Sequence, residues 1–443
     1  MNFKESEAYL LSLGNEVSAM KLGLESISRV LDELSRPEDR YLKVQIAGTN
    51  GKGSVCAFLD GICRSARIKT GLYTSPHLVS ITERVKVGGK DLSQDDFARY
   101  ATQVRAVCEQ LVERGDLESV LTFFEQVTAI ALRAFADNEV ELAILETGLG
   151  GRLDATTAAH AQIAAITQID FDHQEILGET ITAIAAEKAA IIRPNSSVVV
   201  GEQSGEAMRV ILEACNKSGV GPRLASEVRI RVSPVASEGR TPSQLVGFLP
   251  KAVDFFTGKA GYEGVKLGLL GRHQIANAKV GILLAEILQE HFEITAAEIV
   301  QGLETAKHPG RLELCGRYLF DGAHNLAGAR ALRSFLNETI RQRVTLIFGS
   351  MRDKDVAEIA EILFPGAETL ILTRPDNTRS MSSEEIAKFV PNGYPKDHVV
   401  LTDSVAKAIA EAEEIAGPNG LICVTGSLYL VGAAKQVIAG SRV

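Results

Sequence analysis

Short apolar runs alternate with helical stretches along most of the chain. YLKVQIA (41–47) precedes SVCAFLDGICRSA (54–66), and IKTGLYT (68–74) precedes QDDFARYATQVRAVCEQLVER (94–114). EQVTAIALRAFA (125–136) reads as a buried helix, VELAILE (140–146) and AQIAAIT (161–167) as fully buried strands. Near-continuous apolar strands divided by helices predict a parallel sheet covered on both faces. Residues 220–262 break this rhythm with short pieces such as RIRVSP and SQLVGFLP, which predict a small antiparallel excursion. The helix HQIANAKVGILLAEILQEH (273–291) follows.

A second alternation starts near residue 311. RLELCGRYLF, VTLIFGS, AETLILT, HVVLT and GLICVTG read as strands, separated by helices over 325–340, 354–363, 382–390, 404–416 and 428–439. The expected fold is therefore α/β with two domains. A larger mononucleotide-binding parallel-sheet domain with a phosphate loop covers 1–308, and a smaller Rossmann-like C-terminal domain covers 309–443. HPGRLE (308–313) carries Pro and Gly at the junction and is the predicted hinge.

Composition narrows the class. The 443 residues are 45% hydrophobic and 23% charged, within the globular range. A net charge of -9 argues against a broad nucleic-acid footprint. Cys56, Cys63, Cys108, Cys215, Cys315 and Cys423 form no C-x-x-C pair, which predicts reduced thiols in a cytoplasmic protein. The start, MNFKESEAYL, is polar, and no uncharged apolar run approaches a membrane span, so neither a signal peptide nor a membrane partner is expected.

The first strand-to-helix turn reads GTNGKGS (48–54). Glycines let backbone N–H groups converge on an anion, and the helix N-terminus adds partial positive charge. Lys52 would meet the terminal phosphates and the Ser54 hydroxyl a metal. The spacing G-x-x-G-K-G-S is shorter than the usual G-x-x-x-x-G-K-[ST] loop. TSPHL (74–78), ETGLGGRLDAT (146–156) and QIDFDHQEILG (168–178) follow three further strands. In a parallel sheet all four turns would share the carboxyl edge, where ligands bind. A nucleoside triphosphate brings a divalent cation; Ser75, Glu146 and Asp172 offer oxygen, and His173 offers nitrogen, which is friendlier to manganese than to magnesium.

At GTNGKGS, YTSPHL, FDHQEILG with TITAIAAEKAAI, and DGAHN, the chain resembles the folylpolyglutamate synthase and dihydrofolate synthase family, part of the larger group of Mur-type amide ligases. KLGLESI (21–27) and GSLYLVG (426–432) extend the resemblance toward both ends. It implies that Asn50, Gly51, Lys52, Gly53 and Ser54 hold ATP, that Asn277 contacts adenine, and that Arg311 reaches the phosphates. It implies Mg²⁺, two ions, on Ser54, Ser75, Glu146 and His173, with Mn²⁺ as a substitute. Lys188 looks like the lysine the family carbamylates. Lys52, Lys188, Asp321 and His324 form the implied catalytic set, with Asp321 also beside ATP. Gly23, Leu24, Thr122 and Asp154 form the implied substrate-binding set. The chain departs from the family pattern at Thr157, where DATN is common, and at Leu326, where proline is common.

The chemistry implied is ATP-dependent ligation of L-glutamate to dihydropteroate, to the tail of a reduced folate, or to both, through an acyl phosphate. A monomer is expected. Two alternatives stay open at this point: another Mur-type ligase acting on UDP-muramyl peptides, and an ATP-controlled binding module without ligation.

Overall fold

A computed structural model describes residues 1–14, 23–233, 252–340 and 342–440. The chain divides into two compact units. The first holds Met1–Arg229, Phe255–Tyr262 and Ala276–Ala306; the second gathers the described residues of 230–254, 263–275 and 307–443.

The first unit opens with α1 (Phe3–Ser12) and α2 (Glu25–Glu33). Then come β1 (Leu42–Ala47), α3 (Lys52–Ser65) and β2 (Thr70–Tyr73). A short edge follows, β3 (Val85–Val87) and β4 (Lys90–Asp91), before α4 (Gln94–Glu113) and α5 (Phe123–Asp137). The next elements are β5 (Leu142–Glu146), β6 (Ile163–Ile166), α6 (Gln174–Leu177) and α7 (Ile181–Ala189). They are followed by β7 (Ser197–Val200), α8 (Gly205–Lys217) and β8 (Arg223–Leu224). The eight strands run in the order β4-β3-β2-β5-β1-β6-β7-β8. From β2 to β8 every pairing is parallel, while β3 and β4 are antiparallel.

Apolar side chains on both faces of the central strands explain the two cores. One face packs with α1, α2, α4 and α5 through Leu10, Ile27, Phe97, Val104, Ile130 and Phe135, all buried. The other packs with α7 and α8 through Ile166, Ile184, Val200 and Ile211. Helix starts carry side-chain caps: Ser93 for α4, Thr122 for α5, Thr180 for α7 and Ser204 for α8, each accepting a backbone N–H from the first turn.

β9 (Arg229–Ser233), β10 (Ala252–Phe256) and β11 (Gly261–Val265) form a separate three-stranded sheet, ordered β11-β10-β9. The expected excursion over 220–262 is thus shorter at its start, because β8 joins the main sheet beside β7. SQLVGFLP lies outside the described residues, as do the first two residues of KLGLESI. α9 (His273–Leu288) and α10 (Ala296–Thr305) follow.

In the second unit, the run RLELCGRYLF is not one strand. It makes β12 (Glu313–Cys315) and β13 (Tyr318–Phe320), an antiparallel pair turned at Gly316, whose φ is +60°. Gly and Arg between two apolar triplets carried the turn signal. The remaining elements are α11 (Leu326–Thr339), β14 (Val344–Phe348), α12 (Val356–Leu363), β15 (Thr369–Leu372), α13 (Ser383–Ala387), β16 (Val399–Leu401), α14 (Val405–Ala416), β17 (Leu421–Thr425) and α15 (Leu428–Gly440). Their sheet is β12-β13-β17-β14-β15-β16, parallel from β13 onward. The helix expected over 382–390 shortens to α13, ending before Pro391. Among the described residues no helix is long and apolar enough to cross a membrane.

One contact fixes the helix that follows the glycine-rich turn. α3 and α10 meet at Gly61 and Gly302, where a Cβ on Gly302 would lie 2.2 Å from Ile62 Cα and one on Gly61 would lie 2.6 Å from the Gly302 carbonyl. Backbone meets backbone, so no side chain can swing away. Gly302→Ala should therefore cost about 2–3 kcal/mol, read by urea unfolding. Gly205→Ala, at an open helix start, should stay within about 0.5 kcal/mol of wild type. Equal effects of the two would refute the close-packing account.

Candidate active site

Strand order decides what can meet. β2, β5, β1 and β6 are consecutive neighbours and parallel, so their carboxyl ends leave from one edge. The chain passes from β1 to β2 on one side, returns to β5, and then crosses β1 to reach β6. This reversal around β1 opens a crevice at its carboxyl end. The turn GTNGKGS starts there.

That turn is held tightly. Thr49 and Asn50 both donate their N–H to the Gln168 carbonyl, at 2.9 and 3.1 Å. The Thr49 hydroxyl donates to the Asp170 carbonyl at 3.0 Å and accepts from the Asp170 N–H at 3.1 Å. Gly51 caps α3 with φ +91°, and a Cβ there would lie 2.3 Å from Asn277 Oδ1, so α9 brings Asn277 against the turn. Lys52 folds back, donating from Nζ to the carbonyls of Gly48 (3.0 Å) and Thr49 (3.2 Å). Gly53 and Ser54 are buried in the first turn of α3. A glycine-rich turn, a helix start and one ammonium group stand together here, the donor types that suit an anion.

Glu146 is the last residue of β5 and is buried. One of its carboxylate oxygens accepts the Ser75 N–H at 3.2 Å, which joins the turns after β2 and β5. Thr147 N–H donates to the Ile46 carbonyl, setting Glu146 beside the end of β1. His173 begins α6 in the left-handed region, φ +51°. Its N–H donates to Asp172 Oδ1 at 3.0 Å, and its Nε2 lies 3.8 Å from the same oxygen. Among the described residues no group of three or more His, Cys, Asp or Glu side chains forms a metal cluster.

Lys188, on α7, is buried among Ile184, Ala185 and Ala189. Burial pushes its amine down to about 7, and the charge of Lys52 pushes the same way; Asp172, Asp154 and Glu187 oppose it. The two lysines therefore feel each other. The loop after β5 reaches α7 closely: a Cβ on Gly151 would lie 2.7 Å from the Glu187 carbonyl and 3.0 Å from that of Lys188. Arg152 donates its N–H to the Glu187 carbonyl and pairs with the Glu187 carboxylate.

Asp154 organises this loop rather than projecting from it. It is buried, and it accepts from the N–H groups of Gly148 (2.8 Å), Leu149 (3.0 Å) and Thr156 (3.0 Å) and from the Thr156 hydroxyl. Desolvation raises its pKa, against those hydrogen bonds. Gln45, a polar residue inside β1, donates to the hydroxyls of Thr156 (2.9 Å) and Thr157 (2.7 Å). Thr157 in turn donates to the Gly151 carbonyl at 2.7 Å. The residue that departs from the family pattern thus ties strand to loop. Gln45 was passed over in the sequence, although a glutamine inside VQIA was the available signal.

Thr122 caps α5 in a capping box with Glu125, its hydroxyl donating to the carboxylate at 2.7 Å. Gly23, φ +154°, and Leu24 lead into α2. The structure places these residues at element starts.

In the second unit, Asp321 follows β13 and is buried. It accepts from the N–H groups of Leu312 (2.8 Å) and Ala323 (3.0 Å). Burial lifts it to about 6 against the opposing charge of Arg311. His324 Nδ1 donates to the Gly322 carbonyl at 2.8 Å, a partner that can only accept, which makes Nε2 the basic nitrogen. Asn325 caps α11, and its neighbour Leu326, another departure, is the first helical residue, a position where proline is equally at home. His273 was also missed by the sequence reading. Burial and then Arg311 press its pKa to about 4.

Residues 46–285 match the Mur ligase middle domain, and 310–428 match the Mur ligase, glutamate ligase domain. A Haloferax volcanii protein named probable bifunctional folylpolyglutamate synthase/dihydropteroate synthase is 34% identical over 98% of the chain, and the chain spans about half (50%) of its length. A Bacillus subtilis dihydrofolate synthase/folylpolyglutamate synthase is 30% identical, with 94% of this chain and 95% of that protein covered. The solved structure of Escherichia coli FolC in complex with DHPP and ADP superposes with a TM-score of 0.85 at 28% identity, covering 100% of this chain and 99% of that one.

A buried amine with a depressed pKa destabilises the fold wherever it must be protonated. For Lys188 that penalty is complete below about pH 7 and fades as pH rises toward the ordinary 10.5. In CO₂-free buffer, Lys188→Met should therefore be more stable than wild type at pH 7, and the gap should shrink toward pH 10. Chemical unfolding at the two pH values checks this. A less stable Lys188→Met at pH 7 would mean that the amine is charged and paired in the folded state.

Proposed function

We propose a reaction for a chain that belongs to the folylpolyglutamate synthase/dihydrofolate synthase family of Mur-type ligases. It uses ATP to join L-glutamate to dihydropteroate and to the glutamate tail of reduced folates. The observation that supports this reading is the sheet order β2-β5-β1-β6, which brings the glycine-rich turn and the buried Glu146 to one carboxyl edge, with buried Lys188 of α7 close enough to feel the charge of Lys52.

A carboxylate acylates an amine poorly because oxide would have to leave. In the proposed reaction a substrate carboxylate oxygen attacks the γ-phosphorus of ATP and ADP departs. The glutamate nitrogen then attacks the acyl carbon, the C–O bond to phosphate breaks, and the nitrogen gives up its proton as the amide forms. Such phosphoryl transfer depends on positioning and on neutralising charge. Asn50, Gly51, Gly53 and Ser54 bind the triphosphate, Lys52 and Arg311 neutralise it, and Asn277 faces the adenine. Asp321 and His324 act from the C-terminal domain, taken as 309–443. His324 Nε2 is suited to receive the amine proton, with Nδ1 fixed on Gly322. Thr122 and Asp154 shape the pteroate site by holding the starts of α5 and of the 155–159 turn, and Gly23 and Leu24 line it.

Oxygen donors with one imidazole fit a hard divalent cation. Ser54, Ser75, Glu146 and His173 would hold Mg²⁺. When bound, Mg²⁺ supplies positive charge to the phosphate oxygens. Lys188 would take up CO₂: its pKa near 7 keeps much of the amine neutral and nucleophilic, and a carbamate would replace a cation beside Lys52 with an anion. All six cysteines are free thiols, five of them buried, which suits a cytoplasmic setting; small-molecule substrates require no second subunit, and we take the enzyme to work as a monomer.

Purified chain with ATP and Mg²⁺ should release ADP only when glutamate and either dihydropteroate or a reduced folate are both present. The glutamylated product should appear by mass spectrometry. ADP release with UDP-muramyl peptides instead, or bound ATP with no product, would overturn the reading. Lys52→Ala and Glu146→Ala should each lower kcat by roughly 100-fold or more, measured by coupled ADP release.

A further inference from the structure

Arg311 stands in a turn that is pinned on both sides, all within the second unit. On one side, Gly310 donates its N–H to Glu313 Oε2 at 2.7 Å, and its carbonyl accepts the Gly322 N–H at 2.8 Å. On the other, Leu312 donates its N–H to Asp321 Oδ2 at 2.8 Å. Leu312 holds φ +46°, unusual for a leucine, with its side chain buried in the core of the unit. Gly271 makes room, since a Cβ there would lie 2.7 Å from Leu312 Cδ1 and 2.6 Å from His273 Cε1.

The pin at Gly310 is itself braced. Lys435 on α15 donates to both oxygens of Glu313, at 2.8 and 2.7 Å, and its ammonium lies 5.7 Å from the ring centre of Phe320. Glu313 and Phe320 are register partners in the β12–β13 pair. The pair is half-buried, so it is screened less than a surface ion pair. A chain of contacts thus runs from α15 through Glu313 to the Gly310 N–H, in the peptide one removed from Arg311.

We propose that Glu313 and Lys435 are positioning residues for Arg311, fixing the turn from which its guanidinium is presented to the nucleotide phosphates. Neither touches reacting atoms. The inference rests on the reading of Arg311 given above. The turn sets where the Arg311 side chain leaves the backbone: Gly322 holds the Gly310 carbonyl, Asp321 holds the Leu312 N–H, and Glu313 holds the preceding peptide through the Gly310 N–H. A shift of about 1 Å at such a group can cost up to 100-fold in rate.

The test is a double-mutant cycle between Lys435→Met and Arg311→Ala, with Glu313→Gln and Lys435→Arg alongside. Two readouts are used: kcat with KM for ATP and glutamate, and AMPPCP affinity by calorimetry, which needs no turnover. Lys435→Met should lower kcat by roughly 10- to 100-fold and weaken AMPPCP, with KM for glutamate unchanged. Lys435→Arg should recover most of the loss. In the Arg311→Ala background, Lys435→Met should change AMPPCP affinity by less than about twofold. Glu313→Gln keeps an acceptor for the Gly310 N–H and should fall between wild type and Lys435→Met; it also serves as the test should Lys435→Met fail to fold. The same fold-loss of affinity with and without Arg311, or no loss in Lys435→Met, would overturn the proposal. Full activity and full AMPPCP affinity in Arg311→Ala alone would instead remove the role given to Arg311, a distinct result.

Discussion

Two lysines in one buried neighbourhood set the terms for this site. Lys52 turns back onto its own loop carbonyls, and Lys188 sits in an apolar stretch of α7 where burial and the charge of Lys52 both oppose protonation. Carboxylates nearby, Asp172, Asp154 and Glu187, offset part of that cost. A folded protein tolerates such an arrangement when function gains from it. Loss of its proton relieves Lys188 of that cost.

The scaffold around these lysines is built to keep its loops still. Asp154 satisfies three backbone N–H groups, and Gln45 reaches from β1 to two threonines of the same loop. Thr49 and Asn50 hang from Gln168, so the turns after β1 and β6 move together. Glycines sit where neighbours come close: Gly151 against the backbone of α7, Gly302 against that of α3, and Gly51 against the Asn277 side chain. Each of these ties one loop or helix to another. In the second unit Glu313 holds the N–H of Gly310 and Asp321 that of Leu312, the residues on either side of Arg311.

Much of this was readable in the residues. Continuous apolar runs such as LAILE and IAAI could only be strands buried on both faces, and their alternation with helices fixed the α/β class. Glycine, lysine and serine at a strand-to-helix junction pointed to a turn, and the turn lies where β1 passes into α3. The misreadings were local. RLELCGRYLF hid a turn at Gly316, and the strand at 223–224 was assigned to the wrong sheet. In both cases the apolar pattern was right, and the partner strand, which no local pattern encodes, settled the outcome.

By itself the sequence determined which chemistry was available: hydroxyls, one buried-strand carboxylate, an imidazole and two lysines, each on an identifiable turn or helix. Periodicity carries that information because side-chain burial repeats with backbone geometry. Only the tertiary structure decided which of them share a neighbourhood and which serve the frame. Strand order put Ser75 against Glu146 across 71 positions of chain. Burial of α7 moved the amine of Lys188 toward neutrality, whereas the caps at Thr122 and Asp154 come from partners two or three residues away. Desolvation and long-range pairing arise only when distant segments exclude water together, and no single stretch of residues contains that fact.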